Sequence, residues 1–156
     1  MDDKVKILFK FHSDIFDKLM VETMWTDIVD NEKGFYKLDN IPFYAPLIAS
    51  DDIVYAEYDE SELMLTYKRT IEYSGNSVVQ VVIMDSSKSD INKIRDMFTD
   101  LGCVSEKVNE GYFSMEIPFS MDYKPINTSL NILENDDIIG FSEPCLSDKH
   151  RKDISE

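Results

Sequence analysis

The chain has 156 residues, of which 31 are acidic and 16 basic, so its formal net charge is -15 at pH 7. This charge disfavours binding to nucleic acid or anionic lipid and favours partners of positive charge. With 43% hydrophobic and 12% aromatic residues, the chain has enough apolar side chains to fold, so the charge does not indicate disorder. A merely soluble acidic surface is the simpler interpretation of the same charge.

Several classes of protein are excluded by what the sequence lacks. No apolar run approaches the roughly 20 residues needed to span a bilayer, and the first residues lack the basic and apolar regions of a signal peptide. Cys103 and Cys145 are the only cysteines, without a CxxC pair. They could form a disulfide, but two cysteines in a chain that is not exported are more often thiols. We therefore expect a cytoplasmic protein.

The first half of the chain is predicted to be β. Apolar and polar residues alternate over residues 5–11, and Leu19, Val21, Thr23 and Trp25 follow at the same period of two. Further strands are predicted at 35–38, 53–58, 63–68 and 70–73, with polar turns between them. Short strands at near-regular spacing with no helix between them predict a small β-barrel or a curved antiparallel sheet over residues 1–75.

The second half changes its pattern. Residues 78–84 predict a buried strand, and apolar residues at helical spacing over 91–101 predict a helix capped by Ser89 and ended by Gly102. A hairpin over 104–117, a helix after Asp122 and a strand at 138–141 follow. The order β-α-β-β-α-β is that of a ferredoxin-like half over residues 76–146. We expect this half to pack against the first, and residues 147–156 to form a flexible tail.

Several stretches carry a resemblance to a known family. They are Leu38-Asp39-Asn40-Ile41-Pro42-Phe43-Tyr44-Ala45, Asp51-Asp52-Ile53-Val54-Tyr55-Ala56, Glu72-Tyr73-Ser74-Gly75-Asn76-Ser77 and Leu101-Gly102-Cys103. The chain resembles the bacterial family called domain of unknown function 4265, although Val78 replaces an expected threonine and Asp51 a usual glycine. The resemblance implies the architecture and no catalytic residue. Because small bacterial proteins of this kind are often immunity partners of toxins, it also favours that function.

No residue pattern predicts a catalytic, metal or cofactor site. His12 beside Asp14, and His150 in the predicted tail, lack a nucleophile or a second metal ligand at suitable spacing. Asp51 and Asp52 are adjacent, so in a strand they would point to opposite faces and could not act as a catalytic pair. We therefore interpret both as solvated turn residues.

Two loops could also be interpreted as ion sites. Residues 134–137 lack the spacing and the glycine of a calcium loop. The loop 74–77 could cradle an anion through its backbone N–H groups, but hairpin geometry explains its glycine and asparagine without a ligand.

The densest acidic window covers residues 51–62 and contains no Lys or Arg. It includes two tyrosines, and aromatic side chains with a charged rim are typical of protein-binding patches. A solvated hairpin tip would explain any single residue of the window equally well. With the second acidic run, the predicted partner-binding residues are Asp51, Asp52, Tyr55, Glu57, Tyr58, Asp59, Glu60, Glu62, Glu134, Asp136 and Asp137.

The leading hypothesis is an acidic, non-enzymatic binding protein, an immunity or antitoxin-like inhibitor that masks the active site of a basic toxin, a nuclease. Nuclease sites carry Lys and Arg to hold phosphates, so an acidic protein can mimic their substrate. One alternative is a small-ligand-binding or enzymatic domain with a pocket between the two halves. Another is a structural or regulatory subunit that dimerises through edge strands. We expect the free protein to be a monomer or weak dimer that binds neither nucleic acid nor membrane.

Overall fold

The computed structural model describes residues 4–13 and 16–155. The chain divides into two compact units, Met1–Ser74 and Gly75–Glu156. The described residues form two sheets, almost wholly antiparallel, and three helices, so the predicted α+β class is confirmed.

The N-terminal unit is a five-stranded sheet. Its strands are β1 (Lys4–Ser13), β2 (Lys18–Asp30), β3 (Phe35–Leu38), β4 (Ile53–Asp59) and β5 (Met64–Glu72). Each strand pairs antiparallel with the next, and β5 returns to β1 through one parallel pair, Leu8 with Thr66. The core on the inner face of the sheet includes Ile7, Phe9, Met24, Leu38 and Val54.

The row of apolar residues in β2 lies on the outer face of the sheet. Leu19, Val21 and Trp25 are 78%, 60% and 43% exposed. The alternate residues of the same strand turn inward, and Met24 and Thr26 are buried. Because side chains alternate along a strand, a regular apolar period identifies a face but does not say which face the core covers.

The C-terminal unit is a four-stranded sheet with helices. Its elements are β6 (Ser77–Ile83), α1 (Ile91–Asp100), β7 (Val104–Asn109), β8 (Tyr112–Ile117), α2 (Tyr123–Asn135), β9 (Ile139–Cys145) and α3 (Asp148–Ser155). The antiparallel strand order is β7-β8-β6-β9. Helices α1 and α2 bury Ile94, Phe98, Ile126 and Leu130 in a core that also contains Phe113.

The helix ends follow local chemistry. The Asp90 side chain accepts the Lys93 N–H at 2.9 Å and caps α1, so the predicted cap, Ser89, is wrong by one residue. Asp122 caps α2 as predicted, by accepting the Lys124 N–H. Gly102 follows α1 at φ +105°, in the left-handed region that favours glycine. No helix among the described residues has the length and apolar content needed to cross a membrane.

Both cysteines lie in the C-terminal unit and are thiols. Cys103 belongs to the core, and burial raises the pKa of its thiol to about 12. A thiol with so high a pKa is unreactive near neutral pH, because the thiolate is the nucleophilic form.

The predicted flexible tail, residues 147–156, is corrected by the structure over α3. His150 of this helix is fully buried. Its Nδ1 lies 2.6 Å from Ser77 Oγ, and its Nε2 lies 3.1 Å from the Pro118 carbonyl oxygen. Ile154 also packs against the core of the unit. The sequence of α3 is polar, so its hydrophobic pattern does not reveal that a histidine and an isoleucine hold it in place.

The hydrogen bonds of His150 are satisfied by a neutral ring with its proton on Nε2, and burial favours this uncharged form. The Nε2 atom must donate because it faces carbonyl oxygens, and the Nδ1 atom accepts from a hydroxyl. Burial lowers the pKa of His150, and the positive charge of Lys149 lowers it further. The carbonyl acceptors and the negative charge of Asp153 raise this pKa, but their effect is smaller. The folded state therefore takes up a proton at lower pH than the unfolded state does.

We predict that the free energy of unfolding falls with decreasing pH, starting near the ordinary histidine pKa of 6.5 and ending below the lowered pKa of His150. Above this window both states are neutral, so His150 adds no pH dependence there. Urea unfolding between pH 7.5 and 5 measures the effect. His150→Gln should lose this fall, whereas His12→Gln, which changes an exposed histidine, should keep it. Equal pH profiles for wild type and His150→Gln would contradict the assignment.

Candidate functional site

The acidic window lies in the hairpin formed by β4 and β5. The strands pair up to Asp59 and Met64, and residues 60–63 form the turn between them. Asp59 accepts hydrogen bonds from the backbone N–H and the hydroxyl of Ser61, at 2.9 and 2.6 Å. Both hydrogen bonds lower the pKa of Asp59, and the bond from the hydroxyl has the larger effect. The turn therefore holds an ionised carboxylate close to its own backbone.

Two apolar side chains stand among the carboxylates at this tip. Tyr58 is 59% and Leu63 is 74% exposed. Leu63 has φ 59°, a left-handed conformation that is uncommon for leucine. Glu57, Glu60 and Glu62 of the same hairpin are also exposed. We call Tyr58 and Leu63, with Glu57, Asp59, Glu60 and Glu62, the acidic tip.

One lysine reaches the acidic tip from β1. Lys10 Nζ lies 2.9 Å from Glu62 and 3.9 Å from Asp59. The hydrogen bond with Glu62 raises the pKa of Lys10. The side chains of Lys10 and Glu62 are 42% and 34% exposed, and such partly exposed ion pairs contribute little to stability. The pair can therefore be exchanged for contacts with a partner at small cost.

Tyr55 lies further along β4 on the outer face. Its hydroxyl donates to Glu57, and this hydrogen bond raises the pKa of Tyr55. The Arg69 guanidinium lies over the Tyr55 ring at 4.4 Å, and Phe35 meets the ring edge to face. Tyr55 is therefore a cross-strand packing residue whose charge environment is already balanced within the sheet.

Asp51 and Asp52 have different environments, which corrects the prediction that both are solvated turn residues. Asp51 is exposed, with φ 68°, and lies 3.9 Å from Lys37 Nζ. Asp52 is buried and accepts the Ala49 and Ser74 backbone N–H groups at 3.0 and 2.8 Å. Burial raises the pKa of the Asp52 carboxyl, and the hydrogen bonds oppose the rise. Asp52 cannot contact a partner, because its carboxylate is enclosed and occupied.

A second carboxylate, that of Glu22, holds the loop between β3 and β4. Glu22 of β2 accepts the backbone N–H groups of Phe43, Tyr44 and Ala45 at 2.6, 3.0 and 2.8 Å. At the start of the same loop, Asn40 Oδ1 accepts the Trp25 N–H at 2.6 Å. The segment between β3 and β4 is therefore tied to β2 by side-chain acceptors.

The second predicted acidic group lies at the end of α2, in the other unit. Glu134, Asp136 and Asp137 are all exposed. Asp136 ends the helix, and Asp137 has φ 60° in the connection to β9. Lys88 Nζ donates to the Asp136 carbonyl oxygen at 2.8 Å. This geometry is that of a helix end, where one exposed apolar side chain, Ile132 at 55%, lies one turn before Asp136.

No group of three or more His, Cys, Asp and Glu side chains within residues 4–13 and 16–155 is placed to hold a metal ion. The sequence predicts no site at His12. Its side chain is 53% exposed, and its Nε2 atom lies 3.2 Å from Asp17. Its sequence neighbour Asp14 lies outside the described residues.

Comparison with known families bears on these stretches directly. The family model described as Domain of unknown function (DUF4265) matches residues 22–141. The chain belongs to this family. No curated protein matches the sequence.

A solved structure has the same fold. It is described as a novel crystal structure of a hypothetical protein from Neisseria gonorrhoeae, with a TM-score of 0.80 and 24% sequence identity. The match covers 94% of this chain and 98% of that one. At this identity the likeness shows the fold alone.

The structure explains why the DUF4265 stretches are placed as they are. The Leu38 N–H donates to the Asp52 carbonyl, and the Asp51 N–H donates to the Leu38 carbonyl, both at 2.9 Å. Ser74 donates to the Asp52 carboxylate. Three separate stretches of the sequence therefore meet at one point of this DUF4265 member. Asp51 has the positive φ that glycine adopts most easily, which agrees with the glycine that the resemblance implies at this position.

The roles of two residues of this region, Leu63 and Glu22, were not predicted from the sequence. Leu63 continues the alternation of Leu65 and Tyr67, which face the core, so its exposure in the turn is hidden by the pattern. Glu22 could have been recognised from the sequence, because it is the only acidic residue within residues 18–26 of β2. A lone acid on the inner face of a strand indicates a carboxylate with a structural partner.

The paired aspartates allow a matched test. We expect Asp52→Asn to lower the free energy of unfolding by about 1–3 kcal/mol, because one of the two backbone N–H donors would face an amide NH₂ group. Asp51→Asn at the exposed neighbour should change it by less than about 0.5 kcal/mol. Urea unfolding at pH 7 measures both. Equal effects at the two positions would contradict the role of Asp52.

Proposed function

We propose that this protein is an inhibitor-type binding protein that captures a basic protein, a nuclease domain of a toxin, through the acidic tip. The observation that carries the proposal is that one hairpin end combines two exposed apolar side chains, Tyr58 and Leu63, with the four carboxylates of the acidic tip. Apolar anchors surrounded by polar groups are the common anatomy of protein-binding patches.

The tip suits a cationic partner better than a neutral one. Its carboxylates attract Lys and Arg side chains and would speed the encounter. The apolar anchors would slow dissociation, since most affinity differences between related complexes are in the dissociation rate. A nuclease site fits this chemistry because its cations are arranged to hold phosphates.

Overall charge supports long-range attraction but does not locate the interface. Residues 1–74 carry 16 acidic and eight basic side chains, and residues 75–156 carry 15 and eight, so the formal net charges are -8 and -7. The two units are therefore almost equally acidic. The choice of the acidic tip over Glu134, Asp136 and Asp137 rests on its two exposed anchors, one of them the aromatic Tyr58, whereas the second group has the single exposed Ile132 beside it.

We also propose a fold type for each of the two units. We regard the N-terminal unit as a small β-barrel, because its strand order returns from β5 to β1. We regard the C-terminal unit as ferredoxin-like, because a β-α-β-β-α-β order accompanies the sheet order β7-β8-β6-β9. A non-enzymatic inhibitor of a nuclease toxin would act in the cytoplasm, where nucleic acid is present.

Binding to a panel of purified basic nuclease domains from bacterial toxins tests the proposal. Lysozyme, a basic protein without nuclease activity, reports unspecific attraction. We expect one nuclease to bind tightly and lose activity, with an association rate that falls as salt is raised from 50 to 500 mM. Binding to every nuclease that is no tighter than binding to lysozyme would contradict the proposal.

Charge reversal locates the interface. We expect Glu60→Lys with Glu62→Lys to slow association at least tenfold, because the double variant changes the sign of the local field. Asp96→Lys with Asp100→Lys changes the net charge equally on exposed positions of α1 and should slow it much less. Equal slowing by both pairs would show that net charge, and not the acidic tip, guides binding.

A further inference from the structure

Helix α3 is fastened to the segment between β8 and α2 by several hydrogen bonds. His150 Nε2 lies 3.1 and 3.2 Å from the carbonyl oxygens of Pro118 and Met121. Lys149 Nζ donates to the Met121 carbonyl at 2.6 Å, and Asp153 accepts the first N–H of α2 at 3.1 Å. Three side chains of α3 therefore contact polar groups of residues 118–123.

The apolar packing of α3 is small by comparison. The buried apolar side chains of the C-terminal core all belong to residues 79–139. From α3, Ile154 packs against this core and is partly buried, and the side chain of the helix that is fully buried is the polar His150. Segments with few buried apolar contacts open at a lower free energy than the core does. An eight-residue helix is unstable alone in water, so a detached α3 would lose its helical structure.

The docked helix disfavours a charge on His150. The ring is fully buried, and a positive charge there would lose its hydration. Lys149 repels such a charge and Asp153 attracts it. However, the Asp153 carboxylate already accepts from Lys149 Nζ at 2.9 Å and from the first N–H of α2. In a detached helix the ring is hydrated and binds a proton with its ordinary pKa of about 6.5. Falling pH therefore favours detachment.

The other groups that face His150 keep their charge in this range of pH. Its Nδ1 atom lies 2.6 and 3.1 Å from the hydroxyl groups of Ser77 and Ser147. The ring of Tyr123 lies 5.8 Å from that of His150, and burial raises the pKa of Tyr123, which stays neutral. The Tyr123 N–H and Lys149 lower the pKa of Asp153, which stays ionised. His150 is therefore the group whose charge changes between pH 7.5 and 5.

We propose that α3 is a pH-sensitive latch, which detaches from residues 118–123 when His150 is protonated, while the rest of the C-terminal unit stays folded. Detachment uncovers the carbonyl groups of Pro118 and Met121 and the first N–H of α2. The latch thus couples acidity to exposure of the start of α2. It belongs to the C-terminal unit and does not depend on a partner at the acidic tip.

Hydrogen exchange of the intact protein distinguishes detachment of α3 from global unfolding. At pH 7.5 we expect the amides of α3 to be protected at least tenfold less than those of α1, whose side chains Ile94 and Phe98 are buried. Urea up to about 1 M should leave exchange in α3 unchanged, because detachment exposes little surface, and should speed exchange in α1. Equal protection of the two helices with the same urea dependence would overturn the proposal, because α3 would then open only by global unfolding.

Lowering the pH from 7.5 to 5 tests the role of His150, with protection corrected for the intrinsic exchange rate. We expect the protection of α3 to fall at least threefold and at most about thirtyfold, the limit for one histidine with a pKa of about 6.5 in the detached state. His150→Gln, whose amide can still donate to the Pro118 carbonyl, should lose this fall. His12→Gln, at an exposed histidine, should keep it.

Two further variants complete the test. If His150→Gln leaves α3 unprotected at pH 7.5, His150→Asn replaces it, because its side-chain oxygen can accept from the Ser77 hydroxyl. Asp153→Asn removes another contact of α3 and should lower protection at both pH values while keeping the fall. Constant protection of α3 in the wild type, the same fall in the protected His150 variant, or loss of the fall in Asp153→Asn would overturn the proposal.

Discussion

A buried carboxylate bound to backbone N–H groups organises the N-terminal unit. Asp52 connects the end of the loop before β4 with the end of β5, through Ala49 and Ser74. Removing a carboxylate from water is costly unless hydrogen bonds replace the lost hydration. The Ala49 N–H of the loop and the Ser74 N–H after β5 must therefore both stay in place. The buried loop residues Ala45 and Ile48 then complete the core of the sheet.

The same principle accounts for Glu22, and together the two carboxylates change how the family stretches are interpreted. Backbone N–H groups that converge on one point are commonly anion sites. Here the anions are side chains of the chain itself, so the N–H groups of residues 43–45 and 74 are occupied. The family stretches thus specify how one loop is fastened to the sheet.

Much of the fold was predictable, because strands and helices carry strong periodic signals. Phe35–Leu38 matches its predicted strand at both ends, β7 and β8 form the predicted hairpin over 104–117, and Asp122 was recognised as a cap. The errors have a common cause, which is that a local pattern does not report a distant partner. His150 is buried by contacts with Ser77 and Pro118, far away in sequence. Asp52 is buried where it accepts the Ser74 N–H, a distant contact that charge composition does not report. The prediction that Asp52 is a solvated turn residue was therefore wrong.

The candidate sites show the same limit. The acidic tip follows from composition, since a run of acids between two strands indicates an exposed hairpin turn. Its anchor Leu63 does not, because only the turn geometry takes it out of the inward alternation. On β2, an apolar row was visible in the sequence, but the inward side of the strand is decided by Met24 and Thr26 and by the carboxylate of Glu22. The more apolar row of β2 therefore lies in solvent, because the inward-facing side chains of a strand are decided by their partners in the fold and not by the apolar period alone.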